Sequence, residues 1–124
     1  MINYDNFFLP ATDLEIAKEF YNLVLGLPVK FDFSDKGMIA FAVGTQEPAL
    51  VLRDVSRFPD KRPAIWFVVG DVEQEYQRLK QRGLEFLSEP FRIATGWAVE
   101  FEDPFGNKFG LTDYSIKRNE PSGP

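Results

Sequence analysis

The sequence predicts an α+β protein in which two βαβββ modules pair to form a cupped mixed sheet, with the helices on its outer face. A strand followed by a capped helix occurs twice, since Asp13-Leu14-Glu15 matches Asp71-Val72-Glu73 58 positions later. Both helices end in a similar way, at Leu25-Gly26-Leu27 and at Arg82-Gly83-Leu84. One βαβββ unit leaves an apolar sheet face uncovered, so two units must pair. The alternative is an α+β sandwich without a concave face.

Composition limits the classes of function. The 124 residues favour a single domain, and the net charge of −5 argues against nucleic acid or an anionic membrane as partner. There is no His and no Cys, which excludes catalytic triads and His- or Cys-based metal sites, while an all-oxygen site for Mg²⁺ or Ca²⁺ stays open. With no signal-like segment and no membrane-spanning run, we expect a cytoplasmic protein.

The first module covers about residues 1–54 and opens with an aromatic strand at 4–10. Thr12 and Glu15 form a capping-box pattern that begins a helix, and Gly26 ends it. Apolar residues at helical spacing predict its buried stripe: Leu14, Ala17, Phe20, Tyr21 and Val24. Three short strands follow, at 29–33, 38–43 and 49–53.

A polar segment at about 55–63 is the predicted linker to the second module, about residues 64–114. The second module begins with an apolar strand at 64–69. Asp71 is the predicted N-cap of its helix, with Gln74 three positions on, and Gly83 ends that helix. The remaining predicted elements are a helical stripe of Val72, Tyr76 and Leu79, a short strand at 85–87, a loop at 88–95 and a polar tail at 115–124.

A β-hairpin closes the second module. Trp97, Val99 and Phe101 alternate with polar or small residues, and a second alternating run follows around Phe109 and Leu111. Between the two runs lies Asp103-Pro104-Phe105-Gly106-Asn107, whose residue types favour a tight turn.

This turn, together with Glu19-Phe20-Tyr21 and Leu25-Gly26-Leu27, resembles the vicinal oxygen chelate superfamily of glyoxalases, bleomycin-resistance proteins and extradiol dioxygenases. The resemblance covers residues 4–114 and implies the same cupped fold. It implies metal ligands on the first, fifth and eighth strands, at positions that are Asn6, Ala64 and Gly110 here. Two of these residues have no donor side chain, so we expect no catalytic transition metal and no cofactor.

The same register predicts which side chains line the cup. On the fourth strand, Val51 and Arg53 are expected to face inward in preference to Leu50 and Leu52. Ile65 is expected to face the core. The predicted ligand-binding residues are Asn6, Phe8, Arg53, Ala64, Trp66, Val68, Glu100, Gly110 and Thr112.

Glu100 is the candidate catalytic residue, because a carboxylate in an aromatic pocket is costly to bury unless it is paired or has a functional role. It is a ligand anchor, a general base, or the ion-pair partner of Arg53 or Lys108. Trp66 is a stacking platform for a planar or cationic ligand, or a filler of the space that the missing metal site leaves. The small Ala64 and Gly110 are expected to keep the centre open.

Three functions follow from these residues and the resemblance. The first is a metal-free binding protein that sequesters a planar or cationic organic molecule. The second is a lyase, isomerase or oxidoreductase-like enzyme that uses Glu100 as acid and base. The third is a non-catalytic structural or regulatory module. A homodimer is expected, because the resemblance implies pockets completed by a second copy.

Overall fold

The computed structural model describes residues 1–116. Most of the predicted tail, residues 117–124, lies outside the described residues. The tail's first two residues are bonded to the chain, because the Ser115 amide donates to Asp113 and the Ile116 amide donates to the Thr95 carbonyl. No helix in the described part is long and apolar enough to cross a bilayer.

The chain forms two compact units. The first unit spans residues 5–65. Its elements are β1 (Asn3–Ala11), which begins two residues before the unit does, α1 (Leu14–Lys18), a π-helical segment (Glu19–Val24), β2 (Val29–Phe33), a 3₁₀ turn (Ser34–Lys36), β3 (Met38–Phe41) and β4 (Leu50–Asp54). The strand order is β2-β3-β4-β1, in which β1 and β4 are parallel and the other pairs are antiparallel.

The second unit contains residues 1–4 and the chain from Trp66 onward. Its elements are β5 (Ala64–Val68), which begins at the boundary of the first unit, α2 (Val72–Gln81), β6 (Phe91–Ile93), β7 (Gly96–Glu102) and β8 (Lys108–Thr112). The strand order is β5-β8-β7-β6, with β6–β7 and β7–β8 antiparallel. Each unit thus follows the predicted order of strand, helix and three strands.

The start of α1 differs from the prediction by one residue. Asp13, not Thr12, is the N-cap, and its carboxylate accepts hydrogen bonds from the Glu15 and Ile16 amides at 2.9 and 3.2 Å. A carboxylate at this position satisfies two amides that the helix leaves without partners. The predicted capping box is therefore wrong, and α1 begins at Leu14, one residue later than a Thr12 cap would place it.

The same helix changes to π-helical geometry at Glu19, where the Leu25 amide donates to the carbonyl of Phe20 five residues earlier. A π-helix has more residues per turn than an α-helix, so each residue rotates the chain by a smaller angle about the helix axis. Val24 falls roughly a quarter turn short of the buried face. Val24 is consequently exposed. Phe20 is exposed because it lies on the side of Ile16, which is itself exposed, and both findings correct the predicted stripe, whereas Ala17 is buried.

Helix α2 agrees with the prediction. Asp71 caps it by accepting from the Gln74 amide at 3.0 Å, and Gly83 lies just past its end at φ +97°. Val72 and Tyr76 are buried against β7 and β8, in the second unit's core with Val69, Val99 and Leu111. The first unit has its own core, formed by Ala17, Ile39, Phe41 and Leu52.

The sixth strand was predicted in the wrong place. The strand that pairs with β7 is Phe91–Ile93, inside the predicted loop, and Phe86 makes only a single bridge to Phe101. Phe86 is held by packing, since its ring lies 4.7 Å from that of Tyr76. In the sequence, an aromatic residue that packs against a helix cannot be distinguished from an apolar residue of a strand, and this explains the wrong prediction.

The hairpin and its turn are as predicted. The Asp103 carboxylate accepts hydrogen bonds from the Phe105 amide, the Asn107 amide and the Asn107 side chain, at 2.7 to 2.9 Å. The bond from the Asn107 side chain is the main cause that holds the pKa of Asp103 below its ordinary value. The turn fixes the register that pairs Glu100 with Gly110.

Candidate functional site

The indole of Trp66 covers Gly110. A Cβ atom added at Gly110 would lie 2.5 Å from the Trp66 Cδ1 and Cε2 atoms, closer than real Cβ contacts come. Trp66 is 6% exposed, so the ring is buried in this position. The expectation that Gly110 leaves an open space is therefore wrong on this side of the sheet, because the indole fills that space.

Glu100 has a partner at each carboxylate oxygen. The Trp66 Nε1 atom donates to Oε2 at 3.1 Å, and the Lys108 Nζ atom lies 3.2 Å from Oε1. The side chains of Glu100 and Lys108 are 16% and 5% exposed. Of the roles predicted for Glu100, pairing with Lys108 is the one seen, and this pair neutralises a carboxylate that would be costly to bury alone.

Thr112 lies two residues after Gly110 on β8, on the same face as Gly110 and Lys108. It is 1% exposed, and its hydroxyl oxygen has no hydrogen-bond partner among the described residues. On the neighbouring strand, Ala98 pairs with Thr112 and is fully buried. The face that carries Trp66 and Glu100 therefore also holds a buried hydroxyl without a hydrogen-bond partner among the described residues.

Arg53 is 9% exposed in the first unit, and its guanidinium lies 4.5 Å from the ring centre of Phe8 and 5.4 Å from that of Phe58. These distances are typical of cation–π contacts. Leu52 packs beside Ala17 in the first core, so alternation places Arg53 on the face away from α1. This agrees with the register chosen from the sequence.

The other predicted binding residues have mixed environments. The Asn6 side-chain oxygen accepts a hydrogen bond from the Ala49 amide at 3.0 Å, so it joins β1 to the start of β4. Ala64 is buried and Val68 is partly buried. Ile65, expected in the core, is instead 36% exposed, which corrects that expectation.

The predicted site residues divide between the two units. The second unit brings Trp66, Glu100 and Gly110 into direct contact and places Val68 and Thr112 on the neighbouring strands. Asn6, Phe8, Arg53 and Ala64 belong to the first unit.

The residues at the family's ligand positions do not fit a metal ion. Ala64 and Gly110 offer no donor atom, and the oxygen of Asn6 already accepts from a backbone amide. Within residues 1–116, no three His, Cys, Asp or Glu side chains come together as a metal site. The indole over Gly110 also occupies the space that a longer side chain there would need.

Sequence reasoning missed Asp113, a buried carboxylate just after β8. It accepts hydrogen bonds from the amides of Val72, Trp97 and Ser115 at 2.9 to 3.1 Å, and so joins the start of α2 to the start of β7. Burial acts to raise the pKa of Asp113, but these amides outweigh it and hold the pKa below 3.8. Only the bond to Ser115 is local, so the sequence offers no signal for the other two.

The two βαβββ units match solved structures of the glyoxalase and bleomycin-resistance type, which confirms the predicted fold class. The family model described as Glyoxalase/Bleomycin resistance protein/Dioxygenase superfamily matches residues 3–111. The chain belongs to this superfamily.

Two Bacillus subtilis proteins are similar in sequence. YurT, described as uncharacterized, is 28% identical over 109 residues, which cover 77% of this chain and 86% of YurT. YetH, described in the same way, is 27% identical over 107 residues, with 82% of this chain and 89% of YetH covered.

Among solved structures, methylmalonyl-CoA epimerase from Mycobacterium tuberculosis has a TM-score of 0.70 at 23% identity, with 90% of this chain and 87% of that chain covered. A glyoxalase/bleomycin resistance protein/dioxygenase superfamily member from Vibrio splendidus 12B01 has a TM-score of 0.65 at 22% identity, with 90% and 97% covered. At these identities the likeness concerns the fold alone.

Proposed function

We propose that this chain is a small-molecule binding protein that works without a transition metal. The observation that carries the proposal is the contact of Trp66 with Gly110 and Glu100, which puts an indole where the family resemblance implies a metal ligand. Three groups on this face offer binding chemistry without a metal: an aromatic ring, a neutralised ion pair and the hydroxyl of Thr112.

Of the two ligand chemistries that the sequence suggests, the planar one is better supported. Lys108 already neutralises Glu100, so a ligand cation has to compete with an ammonium group 3.2 Å away. A planar apolar group needs no such exchange and gains from contact with Trp66 and Val68. The proposed binding residues remain those predicted: Asn6, Phe8, Arg53, Ala64, Trp66, Val68, Glu100, Gly110 and Thr112.

The fluorescence of Trp66 offers a direct test. The sequence has two Trp residues, so Trp97→Phe leaves Trp66 as the single indole. Screening a library of planar aromatic and heteroaromatic compounds against this variant should find compounds that shift the emission, because ligand contact changes the environment of a buried ring. A Trp66→Phe variant should bind such compounds more weakly, with Trp97→Phe as the matched control.

The charge of Glu100 distinguishes a cationic from a neutral ligand. If a cation faces Glu100, then Glu100→Gln weakens a cationic compound far more than its neutral analogue, since only the former loses a charge pair. If no compound binds, or if a compound binds but neither Trp66→Phe nor Glu100→Gln alters its binding, the proposal is wrong and a structural or regulatory module becomes the better account.

An enzyme is the second candidate. A general base has to lie within hydrogen-bond reach of a substrate proton, and Glu100 is the carboxylate that this face presents, with Lys108 3.2 Å away. Glu100→Gln abolishes turnover of a substrate in that case but leaves its binding largely intact. A pure binding protein shows no turnover in either form.

We also propose that the protein is a cytoplasmic homodimer. The lack of cysteine suits a reducing compartment. Apolar side chains that are exposed on a single chain favour a partner.

A further inference from the structure

The helix of the first unit has an apolar outer surface. Beyond the residues that pack in the core, it presents further large apolar side chains to solvent, between 48% and 75% exposed. We call these residues the outer stripe: Ile16, Phe20, Leu23, Val24 and Leu25.

The change to π geometry makes this stripe continuous. Ile16 and Phe20 are four residues apart and lie on one side of the helix. From Glu19 onward, neighbours along the helix are four to five residues apart, so Phe20 is followed by Val24 and Leu25. The apolar surface thus extends through the π-helical segment to the helix end.

Helix α2 provides an internal comparison, because it holds the same place in the second module. Its exposed residues are all polar or charged: Glu73, Gln74, Gln77, Arg78, Lys80 and Gln81. An apolar outer surface is therefore no requirement of the βαβββ unit. Apolar patches of this kind on a soluble protein usually mark an interaction site.

We propose that the outer stripe binds a second copy of this chain, with the two helices antiparallel about a twofold axis near Phe20. The charged residues of the helix, Glu15, Lys18 and Glu19, all precede Phe20, and residues 20–29 carry no charge. Antiparallel pairing places the charged half of one helix beside the uncharged half of the other, so like charges do not meet. A parallel pairing would bring identical carboxylates together.

The same arrangement matches apolar side chains. A twofold axis near Phe20 brings Ile16 of one chain to Val24 of the partner subunit, and Phe20 to its own copy. Glu15 and Glu19 border the stripe, so an anionic lipid surface is a poorer occupant than a second copy. The inference rests on the proposed homodimer and is independent of ligand binding.

Sedimentation equilibrium of the full chain tests the proposal with one charged substitution. Leu23→Lys should raise the dimer dissociation constant at least about tenfold, because the interface would have to bury an unpaired ammonium group. Gln77→Lys at the matching outer surface of α2 is the control and should leave dimerisation unchanged. Circular dichroism checks that both variants fold, which is expected since Leu23 is 75% exposed.

Cysteine cross-linking tests the geometry, and the natural chain has no cysteine that would interfere. Under mild oxidation, Phe20→Cys should form a disulfide-linked dimer quickly, because a residue on the axis faces its own copy. Gln77→Cys should not. A wild-type chain that stays monomeric at tens of micromolar overturns both the dimer and this interface. A dimer that tolerates Leu23→Lys and does not cross-link through residue 20 overturns the interface alone.

Discussion

The Trp66 indole lies directly over the backbone of Gly110 and donates a hydrogen bond to Glu100, the residue paired with Gly110 across the hairpin. The three residues thus depend on one another. A side chain at position 110 would displace the indole of Trp66. A displaced indole would no longer donate its hydrogen bond to the Glu100 carboxylate. This contact, and not an open space, is what the second unit presents where the family resemblance implies a metal ligand.

Gly110→Ala should destabilise the fold by about 1–3 kcal/mol, as overpacking does. The added Cβ would meet the Trp66 ring, whereas Gly70→Ala is a control with nothing within 4 Å of its Cβ. Urea unfolding of both variants gives the comparison. In a Trp66→Leu background the loss of stability caused by Gly110→Ala should be smaller. An equal loss in both backgrounds would show that the added Cβ does not clash with Trp66.

Lys108→Met should lower the free energy of unfolding by about 2–4 kcal/mol, because it leaves the Glu100 carboxylate without its ion-pair partner in a mostly buried site. The double variant Glu100→Gln/Lys108→Met should recover part of that loss. Arg78→Met, which breaks the exposed pair of Arg78 and Glu75, is the control and should cost much less. If the double variant is less stable than Lys108→Met, the pair does not act as described.

Asp113→Asn should cost about 1–3 kcal/mol at neutral pH, because a neutral amide oxygen accepts the three backbone hydrogen bonds less well. The folded pKa of Asp113 lies below 3.8, so its charge stabilises the fold above that pH. That contribution is lost as the pH falls through the folded pKa. Urea unfolding at pH 7 and at about pH 3 should therefore show a smaller difference between wild type and variant at the lower pH.

Asp54→Asn is the control for this pH effect. The pKa of Asp54 is also lowered, by its bonds to the Ser56 amide and hydroxyl, but Asp54 is half-buried and its carboxylate bonds to a residue only two positions away. Its substitution should change stability far less. A loss for Asp113→Asn that is equal at both pH values would mean that the charge of Asp113 does not contribute.

The sequence predicted those parts of the fold that depend on local signals. The Asp71 cap, the Gly83 helix end and the Asp103–Asn107 turn each come from residue types whose backbone preferences are strong. Strand alternation placed Glu100 and Lys108 on one face, where they pair. These features could be read before any tertiary contact was known.

The features that were missed depend on contacts between distant residues. Trp66 and Gly110 are 44 positions apart, and no local pattern indicates that a ring from one strand will cover a glycine on another. Asp113 bonds to Val72, 41 residues away. The π-helical segment was missed because its residues also satisfy α-helical spacing, and the difference shows in the hydrogen bond from Leu25 to Phe20 and in the exposure of Val24.

Native mass spectrometry of the untagged, purified protein tests the central claim most directly, with elemental analysis of the same sample. Because the family's ligand positions lack donors and Trp66 covers Gly110, we expect less than about one tenth of a zinc, nickel, iron or manganese ion per chain. We also expect any bound molecule, co-purified or found by the fluorescence screen, to stay bound after treatment with EDTA. Near one metal ion per chain, with ligand binding lost when EDTA removes it, would contradict the account.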